Sequence, residues 1–153
     1  GISTYEELVE RCDAVAAASI RTRENLRDTE QRIADLALLG KQIDTYRKLK
    51  PVYDRYKASK DKEKFLRGFE SEIILFEAAA REIKKAGLTK LPSSDKVKAE
   101  LEGLSARKAA LQTELRKIQR EEKEYDTLRQ NVDALLERPK EQEQQRQRSN
   151  DLE

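Results

Sequence analysis

Between positions 41 and 67 the chain carries ten basic side chains: Lys41, Arg47, Lys48, Lys50, Arg55, Lys57, Lys60, Lys62, Lys64 and Arg67. Four acids oppose them, Asp44, Asp54, Asp61 and Glu63, leaving a local balance of +6, so that the remainder of a chain of net charge +2 is −4. Tyr46, Tyr53 and Tyr56 are interleaved with the cations. Cations at this density neutralise phosphates, and aromatic rings stack on bases, so the segment is a candidate contact for nucleic acid or another polyanion. The simpler reading is a solvated basic elbow whose tyrosines fill a helical seam. Their spacings of seven and three are what packing alone produces.

Other chemistry has little footing. Glu70, Glu72 and Glu77 surround the apolar run Ile73–Phe76, and grouped carboxylates can hold a metal or move a proton. No second acidic cluster supports them, and the chain has no His, the commonest general base and transition-metal ligand. No Gly-rich phosphate loop, zinc spacing or nucleophile elbow is present. Cys12, the single cysteine, falls on an apolar stripe and reads as a small seam residue. We therefore expect no catalytic residue, no metal site and no cofactor.

The elements that carry these residues are helical. From Val97 to Leu135 apolar side chains recur every three or four positions: Val97, Leu101, Leu104, Leu111, Leu115, Ile118, Tyr125, Leu128, Val132 and Leu135. Only Lys108 and Glu122 are polar rungs. That ladder marks one stripe along a helix of about 60 Å, which needs partner helices to cover it. A second ladder runs Leu8, Cys12, Val15, Ser19, Thr22, Leu26, Thr29, Ile33, Leu36, Gly40 and Ile43. Ser3 with Glu6 forms a capping box at its start, and the helix should pass through Gly40 despite a cost of about 1 kcal/mol. Pro51 should kink it or restart it, with a break at Ala58 to Lys60. A helix from Asp61 to Ala86, closed by Lys84, Lys85 and Gly87, has a broad apolar face. Phe65, Leu66, Phe69, Ile73, Ile74, Leu75, Phe76, Ala78, Ala79, Ala80 and Ile83 lie on it, so it should touch two other helices. Leu88 to Ser94 is a turn, Asp95 opens the last helix and Pro139 ends it.

The expected fold is all-α: an elongated, antiparallel, coiled-coil-like hairpin with a third helix packed at one end. Residues 1–139 form one domain, with helices at about 3–58, 61–86 and 94–137, and residues 140–153 form an exposed polar tail. Pairing Leu8 with Leu135 makes partner numbers sum to about 143, which sets Lys108 near Asp35 and Glu122 near Arg21. Charged residues are 41% and aromatics 5% of the chain, a composition for narrow seams rather than a layered core. With no Met, Gly1 reads as a cloning remnant on an internal piece of a larger protein, and Leu152–Glu153 as a second remnant. One cysteine and no apolar run long enough to cross a bilayer predict a soluble, cytoplasmic piece without membrane insertion.

Residues 41–87, KQIDTYRKLKPVYDRYKASKDKEKFLRGFESEIILFEAAAREIKKAG, add a resemblance. They look like the region downstream of the nuclease domain in relaxases, the mobilisation nucleases of conjugative and mobilisable elements of Gram-positive bacteria. The stretch Tyr46-Arg47-Lys48 to Pro51-Val52-Tyr53, the turn Tyr56-Lys57-x-Ser59, and Glu72-Ile73-Ile74-Leu75 with its alanines carry it. Residues 91–136 resemble the helix that follows there, closing on Asn131-Val132-Asp133-x-Leu135-Leu136. The resemblance implies a parent enzyme that nicks DNA through an upstream domain with a tyrosine and a histidine-bound metal; no residue of that motif lies in this chain. For this piece it implies a non-catalytic accessory role in DNA mobilisation. Contacts with DNA, a mobilisation accessory protein, a coupling protein or a second copy (a homodimer) would all serve it. The alternative is a coiled-coil scaffold or spacer from an unrelated cytosolic protein, with no nucleic-acid role.

Overall fold

A computed structural model of the chain describes residues 4–152, and at 138–142 the backbone alone. The described residues are helical with short links, in three elements: α1 (Tyr5–Ala58), α2 (Lys62–Lys85) and α3 (Ser94–Asp151). No strand occurs among them.

Local chemistry explains each boundary. Ser3 lies outside the described residues; the cap of α1 is Thr4, whose Oγ1 accepts from the Glu7 backbone N–H at 3.1 Å. This satisfies one of the free donors of the first turn. The helix continues through Gly40 and through Pro51 and stops at Ala58. Asp61 caps α2, its carboxylate accepting from the Lys64 backbone N–H at 3.1 Å. At the other end Gly87 takes φ 72°, a left-handed conformation open to glycine at little cost, which closes the helix. Ser93 caps α3, its Oγ accepting from the Lys96 N–H at 3.1 Å, and Asp95 lies in the first turn as expected.

Two expectations about α2 and α3 are corrected. Helix α3 does not end at Pro139 but continues to Asp151, so the segment expected as a polar tail is helical. Its run of Glu, Gln and Arg has high helix propensity, and from 143 to 152 the side chains are exposed. Helix α2 buries a narrower face than expected. Ile73, Phe76, Ala79 and Ile83 are buried, whereas Ile74 and Leu75 are 54% and 55% exposed. The buried residues lie three, three and four positions apart, a single stripe on a 3.6-residue period, and the two exposed ones fall beside it. The helix also breaks its regular backbone at Phe69 (φ −132°, ψ 26°), next to Gly68, where a kink is least costly.

Packing divides the chain into two units, residues Gly1–Arg27 with Ala109–Glu153, and Asp28–Lys108. In the first unit the buried residues are Leu8, Cys12, Ser19, Thr22 and Ile118. The Tyr5 hydroxyl donates to Asp133 Oδ1 at 2.8 Å, and the Cys12 thiol approaches the Tyr125 carbonyl at 3.9 Å. In the second unit the buried residues are Thr29, Ile43, Ile73, Phe76, Ala79, Ile83 and Val97. There the Lys108 ammonium lies 3.6 Å from Glu30 Oε1, and a Cβ placed on Gly40 would sit 3.2 Å from Val97 Cγ1. Gly40 therefore marks a close approach of α3 to α1, where a methyl group would press on Val97.

These contacts correct the register. Tyr5 with Asp133 and Glu30 with Lys108 each sum to 138; Cys12 with Tyr125 and Gly40 with Val97 each sum to 137. The sum of 143 is thus too large by about five. Lys108 meets Glu30 instead of Asp35, which accepts from Gln31 Nε2. Glu122 Oε1 is buried without a hydrogen-bond partner, and no ion pair joins Glu122 to Arg21 among the described residues. Leu135, the expected partner of the buried Leu8, is 62% exposed and Leu128 is 42% exposed. Past Tyr125 the shielded positions of α3, among the described residues, are Arg129, Val132 and Asp133. The ideal helix drifts away from a strict 3.5-residue ladder, and Asp133 on the drifted face accepts from the Tyr5 hydroxyl.

Candidate nucleic-acid interface

All ten candidate cations belong to the Asp28–Lys108 unit, and the structure sorts them into two sets. Four have partners within the chain. The Arg47 guanidinium donates to the Pro92 carbonyl at 2.6 Å and to the Leu91 carbonyl at 3.4 Å, clasping the α2–α3 link from α1. Arg47 thus supplies donors to carbonyls that lie outside any helix and would otherwise need water. The Arg55 guanidinium lies over the rings of Phe65 and Phe69, 6.0 and 5.5 Å from their centroids, within cation–π range. Lys57 Nζ lies 5.4 Å over Tyr53. Lys50 pairs with Asp54 one turn on at 3.5 Å, with both side chains more than half exposed; such a pair contributes little to stability.

The other six are Lys41, Lys48, Lys60, Lys62, Lys64 and Arg67, all exposed and without an ion pair among the described residues. Lys41 and Lys48 are seven residues apart on α1, two turns along one face and about 10.5 Å from each other. Lys60 lies in the α1–α2 link, and Lys62, Lys64 and Arg67 occupy the first turns of α2. Two of the four local acids are committed elsewhere: Asp54 to Lys50 and Asp61 to the α2 cap.

The tyrosines are not free platforms. Tyr46 and Tyr53 both stack on Phe76, with centroids 4.7 and 4.3 Å apart and interplanar angles of 26°. Tyr56 tilts against Tyr53 at 6.0 Å and Phe65 at 6.1 Å. Phe65 stacks on Phe69 at 4.8 Å. The packing reading of the tyrosine spacing therefore holds: the rings are half-buried and join α1 to α2. Phe65 and Phe69, four residues apart, were the sign in the sequence that Arg55 had aromatic faces to cover.

Carboxylate chemistry gains no support from the geometry. Among the described residues no group of three or more His, Cys, Asp or Glu is placed to hold a metal ion, so Glu70, Glu72 and Glu77 do not assemble. The grooves on the unit are open to solvent. The one lined by Leu36, Leu38, Leu39 and Ala86 carries Arg32, Asp35, Glu82, Lys85 and Glu100 among its lining residues. No described helix is long and apolar enough to cross a membrane. One polar cluster had no sequence signal: Tyr5 bonds Asp133, and that carboxylate holds the Tyr5 phenol above its ordinary pKa, with Arg129 opposing the shift.

No known family model matches this chain, and no curated protein and no solved structure matches it.

Proposed function

We propose that the chain is a non-catalytic accessory module of a DNA-mobilising relaxase, and that its α1–α2 elbow contacts DNA. The observation that supports this reading most is the set of six exposed cations left over once the intramolecular roles of the other four are subtracted. The basic excess is uneven between the units: the Asp28–Lys108 unit carries 19 Lys or Arg against 14 Asp or Glu, net +5, and the other unit 13 against 16, net −3. The likeness of residues 41–136 to the region following a relaxase nuclease supplies the biological setting. In this reading α1 and α3 are the two arms of an antiparallel coiled-coil hairpin in the 137–138 register, with α2 laid against α1 through Phe76. Accessory mobilisation proteins, a coupling protein or a second copy are the protein partners consistent with it.

A second reading, a scaffold or spacer with no nucleic-acid role, is favoured by the use of Arg47, Arg55 and all three tyrosines in packing. Titration of the chain with DNA at two salt concentrations separates the two. Binding that weakens steeply with salt is expected from phosphate contacts; absence of binding at micromolar protein and low salt leaves the scaffold. Arg47 and Arg55 are poor reporters for this purpose, because replacing them disturbs the fold. Lys48, Lys60, Lys62 and Lys64 are the right positions.

A further inference from the structure

We infer that the elbow recognises the phosphate backbone of duplex DNA without reading sequence, and that it does not take up single strands by base stacking; this rests on the DNA-contact reading above. Proteins that hold single strands combine a basic groove with aromatic faces on which bases stack, and much of the affinity comes from those faces. Here each aromatic side chain from Tyr46 to Phe76 already has a neighbour on it: Tyr46 and Tyr53 on Phe76, Tyr56 on Phe65, Phe65 on Phe69. Arg55 covers Phe65 and Phe69, and Lys57 covers Tyr53. Separating Phe76 from Tyr46 or Tyr53 would break the stacking that joins α2 to α1, and Tyr56, Phe65 and Phe69 are half-buried. Charge alone remains, and charge alone favours the denser polyanion: duplex DNA carries one phosphate per about 1.7 Å of axis, twice the density of one of its strands.

The chemistry of the remaining cations fits the same conclusion. Five of the six are lysines, compact point charges on flexible stems that lack the planar fork of arginine. Bidentate reading of guanine, the commonest specific base contact, is best served by arginine held rigidly in the major groove. The two arginines most constrained in this segment, Arg47 and Arg55, are turned to the Pro92 carbonyl and to Phe65 and Phe69. Lys41, Lys48, Lys60, Lys62, Lys64 and Arg67 are left to neutralise phosphates. Phosphate contacts of this kind fix position and carry no direct sequence information.

The test uses the full chain, two short duplexes of unrelated sequence, a single strand of the same length, and vesicles containing an anionic phospholipid, each titrated at several salt concentrations. The expected result is duplex binding at least tenfold tighter than single-strand binding and equal for the two sequences. The triple variant K60Q/K62Q/K64Q should flatten the slope of log affinity against log salt by about 2–3, since each lost phosphate contact removes about 0.9, with an unchanged Tm. Single-strand binding as tight as duplex binding, or a strong preference for one duplex sequence, overturns the inference and leaves the DNA reading standing. Binding to the vesicles with no binding to DNA, or no binding to any probe at low salt, overturns both.

Discussion

The two units solve the same packing problem with different side chains. The unit of residues 1–27 and 109–153 is held by a thin seam in which Ser19 and Thr22 are as buried as Leu8 and Ile118. Ser19 Oγ and Glu122 Oε1 are buried there without a partner. The Asp28–Lys108 unit holds all three phenylalanines and three of the five tyrosines, and its core is centred on Phe76 with Tyr46 and Tyr53 stacked on it. Aromatic side chains each carry a large apolar area into such a core. Part of its basic charge serves that packing and part is left at the surface. Cation count alone therefore does not mark a binding surface; the cations that count are those the fold does not use.

Replacing the central ring should have the largest effect. Phe76→Ala removes the face shared by two tyrosines and should cost about 3–5 kcal/mol, read as a drop in Tm or denaturant midpoint. Leu8→Ala, at a residue 2% exposed in the thinner seam, should cost about 2–3 kcal/mol. Equal losses at the two sites would erase the contrast between the units.

Arg47→Ala should cost about 1 kcal/mol, the net value of a typical hydrogen bond, because solvent screens the charge of this exposed side chain. It should also speed proteolytic cleavage in the 88–93 link, where its two carbonyl acceptors lie. Cleavage unchanged from the parent chain would mean the clasp does not hold the link.

Ser19→Ala should be neutral or slightly stabilising, because it removes a buried hydroxyl that has no partner and whose desolvation is uncompensated. A loss above about 1 kcal/mol, in chemical denaturation, would show that the hydroxyl is bonded after all. Smallest is the Tyr5 contact. Its phenol is raised above the ordinary value of 10.0 by the bond to Asp133, so the contact contributes in full below that value and is lost as pH climbs through the raised one. The difference in ultraviolet titration between the parent chain and Tyr5→Phe should isolate a phenol ionising late. A phenol ionising at or below 10.0 would contradict it.

Much of this was legible in the residues. The α1 ladder from Leu8 to Ile43 is shielded at every rung, because a period near 3.5 has one physical solution when a partner helix lies alongside. Asp61 and Gly87 mark the ends of α2 through their own chemistry, a side-chain acceptor and a left-handed backbone. Register was not legible: apolar ladders look alike when shifted, and the contacts that fix it here, Glu30 with Lys108 and the close approach at Gly40, depend on local fit. Pro139 does not end α3, because the strong helix formers that follow it outweigh one missing donor. Nor does composition tell a free lysine from an occupied arginine; that sorting appears only when Arg47 reaches Pro92 and Arg55 reaches Phe65 and Phe69.

One paired measurement tests that sorting most directly. Thermal stability and duplex-DNA affinity at low salt are compared for two variants, Arg47→Ala with Arg55→Ala, and K60Q/K62Q/K64Q. The first should lower Tm by several degrees, roughly 1–2 kcal/mol in all, whereas the second should keep the parent Tm and lose at least tenfold in affinity. An unchanged affinity in the lysine variant, or a Tm lowered by it and not by the arginine pair, would contradict the division of these cations into those that build the fold and those that face a partner.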